Sequence, residues 1–205
     1  MVKTIVYVDG FNLYYGSLKD SPYKWVNIKT MAASLLKPEA EIVGIKYFTA
    51  LVKARPTDPQ QPVRQQAYLR ALKTLPEATV ILGHFMSKKV RMTRADGLGT
   101  VQVIRTDEKG SDVNLATHML MDAFWNRYDL AVLISNDSDL AEPIRQVRDA
   151  FKKKVGILNP QTVQSVILKR EATFFYQIQQ GHLAGAQFPP TLVDAHGTIT
   201  KPSNW

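Results

Sequence analysis

Leu130–Asp139, LAVLISNDSD, decides the reading of this chain. Six residues without a charge, rich in branched side chains, describe a strand buried on both faces. The strand stops in a loop that carries two carboxylates. The same pattern stands at the N-terminus, where Lys3–Val8 (KTIVYV) ends at Asp9-Gly10. Working outward, Glu41–Val52, Thr79–Phe85 and Lys154–Leu158 read as further strands, and Thr173–Tyr176 as an edge strand. Between them, Ile28–Leu36, Val63–Leu75, Ser111–Trp125, Leu140–Ala150 and Val163–Lys169 read as helices. In Ser111–Trp125 the apolar stripe is placed on Val113, Ala116, Leu120 and Phe124. Lys88–Arg105, with Gly97 and Gly99 near its middle, reads as a hairpin with a flexible tip. Strands alternating with helices predict a single three-layer α/β domain over residues 1–180 with a mostly parallel central sheet. Residues 181–205, with Pro189-Pro190 and Pro202, read as an extended tail on the surface.

Composition narrows the function. The chain has 205 residues and no cysteine, which removes disulfides, thiolate metal sites and a cysteine nucleophile. Its four histidines form no paired metal-binding spacing. No apolar run reaches the length of a membrane span, and the N-terminus lacks the shape of a signal peptide, so a cytoplasmic protein is expected. The net charge is +8, and residues 53–105 hold ten basic residues against three acidic ones. Such a segment suits a polyanion, or serves simply as a solvated face.

In parallel sheets ligands bind beyond the carboxyl ends of the strands. Asp9, Asp137 and Asp139 fall there, and Asp112 lies in the first turn of the helix after Lys109-Gly110. Each has a bland alternative. Asp9-Gly10 is a common turn, Asp139 with Glu142 matches a capping box, and Asp112 suits a helix start. Asp137 has no evident capping role. Four carboxylates at one edge repel one another unless a cation is bound, and oxygen donors alone favour Mg²⁺ or Mn²⁺. Asn12 could hold Asp9 or reach a phosphate, Ser135 could donate within the acidic loop, and Lys109 could contact a phosphate. His118 reads as a partly buried structural histidine.

Three blocks, Val8-Asp-Gly-Phe-Asn12, Glu108-Lys-Gly-Ser-Asp-Val113 and Leu133-Ile-Ser-Asn-Asp-Ser-Asp139, resemble in order and spacing the signatures of the NYN domain. This is a family of PIN-like nucleases, and the LabA-like bacterial branch is the most similar. The resemblance implies a PIN-like fold, a divalent metal and ribonuclease-type activity, with Asp9, Asp112, Asp137, Asp139 and Asn12 at the family's acidic and polar positions. Asn136 stands where many members have glycine, and is expected to tolerate a left-handed backbone. The expected activity is metal-dependent hydrolysis of RNA; the alternative is an RNA-binding module that keeps the pocket without turnover. A receiver-like phosphorylation domain would need an aspartate where Gly83-His84-Phe85 stands. Lys88, Lys89, Arg91 and Arg94 on the hairpin are expected to guide RNA toward the pocket. Homodimer formation is left open.

Overall fold

The computed structural model describes residues 1–205. Six strands form one sheet: β1 (Val2–Asp9), β2 (Ala40–Thr49), β3 (Ala78–Leu82), β6 (Leu130–Ile134), β7 (Lys154–Asn159) and β8 (Phe174–Gln177). Their order is β3-β2-β1-β6-β7-β8, and every pairing is parallel. Two units grow outward in opposite directions from the β1–β6 pair. The crevice beyond the carboxyl ends therefore opens between Asp9 and Ser135.

Alternation along the strands divides two cores. Val6, Val8, Ile45, Val132 and Ile134 face α2 (Ile28–Leu35) and α3 (Gln61–Lys73). Ile5, Tyr7, Phe48, Leu133 and Ile157 face α4 (Ser111–Phe124), α5 (Ala141–Asp149) and α6 (Val166–Glu171). On that second side, Asp122 is buried. It accepts from Tyr7 Oη at 2.7 Å and pairs with Lys46 at 2.5 Å and Arg127 at 3.1 Å. His118 receives Lys46 Nζ at 3.2 Å and meets the Phe48 ring, a structural place.

The structure corrects several expectations. The strand expected over Thr79–Phe85 ends at Leu82. Gly83 donates to Thr49 O, and the chain then leaves the sheet to form β4 (His84–Thr93). β4 pairs with β5 (Thr100–Lys109) in a ribbon ten residues long, longer than the hairpin read from the sequence. The second strand stops at Thr49 because Gln65 pins the next residues into a loop: it accepts from Val52 N and donates to Ala50 O.

The stripe of α4 is also different. Of the expected stripe, Ala116 and Leu120 pack partly buried against the core, but Val113 is 70% exposed and Phe124 66%, whereas Leu115, Met119 and Ala123 are buried. The buried face includes Asp122, whose charge is met by Lys46 and Arg127.

Residues 181–205 are not an extended tail. α7 (Gln180–Ala184) and a hairpin of β9 (Thr191–Asp194) with β10 (Gly197–Thr200) pack on the α2–α3 side. Leu183, Ala186, Phe188 and Ile199 are buried there. Arg70 grips Asp194 with two hydrogen bonds, 2.9 and 2.6 Å, and Trp25 Nε1 donates to Pro189 O. These contacts supply the apolar burial that an isolated tail lacks. No helix is long and apolar enough to cross a membrane.

Candidate functional site: an acidic cleft at the switch point

β1 delivers Asp9 to the centre of the edge, where it is 6% exposed. Its Oδ1 accepts from Asn12 N at 3.0 Å, capping α1 (Gly10–Leu13), and its Oδ2 accepts from Ser135 Oγ at 3.1 Å. Burial pushes the Asp9 carboxyl up to about 6; the charges of Asp112 and Asp137 add to this, while the two hydrogen bonds oppose it. A carboxylate held in that state has a large unmet demand for positive charge.

Asp112 enters from α4. Gly110, at φ 95°, makes the left-handed turn between β5 and the helix, which leaves Asp112 in the first turn free of any capping duty. It opens to solvent and still titrates above the usual range, through partial desolvation and then the charges of Asp137, Glu108 and Asp139. Asp137 comes just after β6. Its backbone N–H reaches Ser135 Oγ at 3.1 Å, and its Oδ1 accepts from Asp139 N at 2.9 Å. Asp137 therefore caps the short 3₁₀ turn Ser138–Leu140, contrary to the sequence reading. The capping box that is the alternative reading of Asp139 and Glu142 is not formed.

Asp9, Asp112 and Asp137 line one cleft, together with Asn12 and Glu108. Asp139 is exposed and is not part of that lining, though its charge is felt at Asp112. No three of the acidic or histidine side chains stand close enough to hold an ion by themselves. The donor set nevertheless fits Mg²⁺ or Mn²⁺. It is all oxygen, and Mg²⁺ is held through one or two carboxylates, with water and substrate phosphate completing the shell.

The polar neighbours tie the three blocks together. Asn12 Oδ1 accepts from Asn136 N at 3.1 Å and from Gln161 Nε2 at 3.3 Å. Asn136 has no left-handed backbone. Its side chain instead donates to Val163 O and accepts from Ser165 N, each at 2.8 Å, which pins the acidic loop to the next one. Sequence reasoning passed over Glu108, Arg55 and Gln161, all of which line the cleft. Glu108 Oε1 accepts from Ser111 N and Oγ. The signal for it lay in the ribbon's alternation.

That alternation also sorts the basic residues. Directly opposed residues share a face, so Phe85, Lys89 and Arg91 lie with Thr106 and Glu108. Phe85, Thr106 and Glu108 line the cleft, which places Lys89 and Arg91 on the cleft's side of the ribbon. Lys88, Arg105 and Lys109 take the opposite face. Arg94 lies beyond the strand and is paired with Asp96 at 2.6 Å.

A parallel sheet of this order, with carboxylates at its switch point, defines a PIN-like α/β domain. The NYN domain model matches residues 3–179, and the chain belongs to the NYN family, within the PIN-like superfamily. The fold is similar to a crystal structure of a protein of unknown function from Vibrio parahaemolyticus, with a TM-score of 0.59 at 20% identity, covering 91% of this chain and 96% of that one. The chain is also 28% identical, over 236 aligned positions, to a 6-hydroxy-3-succinoylpyridine 3-monooxygenase of Pseudomonas putida; the match spans 100% of this chain and 75% of that protein.

Proposed function

We propose that the protein is a divalent-metal-dependent hydrolase of RNA phosphodiester bonds. The observation that carries this reading is that Asp9, Asp112 and Asp137 line one cleft at the sheet's switch point, where the charges of Asp112 and Asp137 raise the proton affinity of Asp9. In this reading one or two of these carboxylates would hold Mg²⁺ or Mn²⁺ directly, water and substrate phosphate would complete its shell, and the remaining acidic groups, Glu108 and Asp139 among them, would add negative charge around it. When bound, the ion supplies charge neutralisation at the phosphate and an activated water. Ser135 and the Asn12 backbone fix the Asp9 carboxylate, and Arg55 meets a phosphate at the cleft wall. Lys89 and Arg91 position the strand without reading its bases. Membership of a family of PIN-like nucleases supports the reaction class.

The test is cleavage of end-labelled RNA with Mg²⁺ or Mn²⁺, with EDTA, and with Asp137→Asn. Cleavage lost in both controls is the expected result. Tight RNA binding with no cleavage under any metal would favour the binding-module alternative.

A second reading takes the activity in the name of the Pseudomonas protein, supported by identity along the whole chain. Oxygen uptake with that hydroxypyridine and a reduced nicotinamide or flavin, unaffected by Asp137→Asn, would replace the hydrolytic reading.

A further inference from the structure

Beside the acidic cleft lies a second hollow, and the two share Phe11, Tyr15 and Val52. Its other walls are largely aromatic: Tyr14, Tyr47, Tyr68 and Trp205. The rings brace one another. Trp205 meets Tyr68 edge-on at 6.0 Å, and Tyr68 meets Tyr47 at 6.0 Å. Tyr14 and Tyr15 are delivered by a π-helical turn over Tyr14–Leu18, a winding that recurs at functional sites. Tyr47 also reports how near the two sites lie, because the Asp9 charge is felt at its hydroxyl.

The polar groups of the hollow are opposite in sign to those of the cleft. Lys24 and Arg64 line it, Arg64 being also paired with Asp58 outside the hollow, and no carboxylate is part of the lining. Desolvation lowers the pKa of Lys24, so an anion beside it would be welcome. The Gln61 carboxamide oxygen is buried in the same wall and accepts no hydrogen bond. A buried acceptor without a donor is a standing cost, removed when a ligand brings an N–H. Flat apolar walls, an empty acceptor and two cations describe one ligand chemistry: a planar nitrogen heterocycle with a donor N–H and an attached anion.

We propose that this hollow is a nucleobase subsite, seating the nucleotide next to the phosphodiester presented to Asp9, Asp112 and Asp137. The base packs among the tyrosine rings and donates to Gln61 Oε1, while its phosphate on the side away from the cleft lies by Arg64 and Lys24. This deepens the hydrolytic reading and rests on it.

The experiment is run in EDTA, so that it does not depend on the metal. Calorimetry measures binding of the four ribonucleoside 5′-monophosphates, ribose 5-phosphate and pyridine-3-carboxylate to the full chain. At least one nucleotide should bind about tenfold or more tighter than ribose 5-phosphate, and Gln61→Leu should remove about that factor. Gln61→Leu should leave thermal stability intact or raise it, because it deletes an unpartnered acceptor. Tyr15→Ala, at a half-exposed ring, gives a second variant that should weaken nucleotide binding. Equal binding of ribose 5-phosphate, or nucleotide affinity indifferent to both variants, overturns the subsite. Pyridine-3-carboxylate binding tighter than every nucleotide also overturns it, in favour of a small heteroaromatic acid. RNA cleavage without nucleotide binding sinks the subsite alone; nucleotide binding without cleavage sinks the hydrolytic reading alone.

Discussion

Ser135 Oγ donates to Asp9 Oδ2 at 3.1 Å across the β1–β6 pair, joining residues 126 positions apart. The bond orients a carboxylate that burial raises from 3.8 to about 6. The folded state therefore binds a proton more readily than the unfolded one between those values. Stability falls as pH rises through that window, and the cost is fully present above pH 6. Asp9→Asn should remove it. Urea unfolding at pH 8 in EDTA should find the variant more stable by up to about 3 kcal/mol, with the gain vanishing near pH 4. A variant less stable than wild type at pH 8 would contradict the assigned burial cost.

Asp137 and Asp139 are two residues apart and differ in placement. Asp137 lines the cleft and Asp139 does not. Asp137→Asn should lower the rate of RNA cleavage by about a hundredfold or more, and Asp139→Asn by less than about tenfold. The products should end in 5′-phosphate and 3′-hydroxyl groups. Cyclic 2′,3′-phosphate ends would move the chemistry to the substrate's own 2′-hydroxyl.

The two faces of the ribbon should behave differently toward RNA. Lys89→Ala with Arg91→Ala removes two cations from the cleft side. This should weaken binding across sequences and reduce the salt slope by about 1.4, at roughly 0.7 per lost phosphate contact on a single strand. Lys88→Ala, on the opposite face, should change the slope by less. A salt titration of all variants decides between a guiding arm and a solubility face.

The buried side of α4 can be measured directly. Leu115→Ala should cost about 3 kcal/mol, and Val113→Ala within about 0.5 kcal/mol of nothing. Equal costs would mean the helix presents the face read from its apolar pattern.

That helix shows why part of the structure was hidden in the sequence. Two stripes fit the same helical period, and the buried one was disguised by Asp122, acceptable inside only because Lys46, Arg127 and Tyr7 converge on it. Strands such as Leu130–Ile134 were plain because both faces are buried, leaving no polar residue to blur the run. Asp9, Asp112 and Asp137 were legible for a related reason, since strand ends and a helix start fix where they point. Glu108 was not, because its direction depends on the register of a ribbon whose partner strand had to be known first. The C-terminal segment was misread because its anchors, Arg70 with Asp194 and Trp25 with Pro189, lie more than a hundred residues away in the chain.

The placement of β1 at the middle of the sheet bears on how the molecule is made. It precedes the other strands of the sheet in sequence, yet its neighbour β6 begins at Leu130, and the hydroxyl that orients Asp9 comes from Ser135. Asp112 and Asp137 arrive equally late. Before those residues are in place, Asp9 has its α1 and β2 neighbours but no acidic partners and no Ser135 hydroxyl. The acidic cleft is thus a product of long-range assembly, complete only once the segment through Asp137 is in place beside β1.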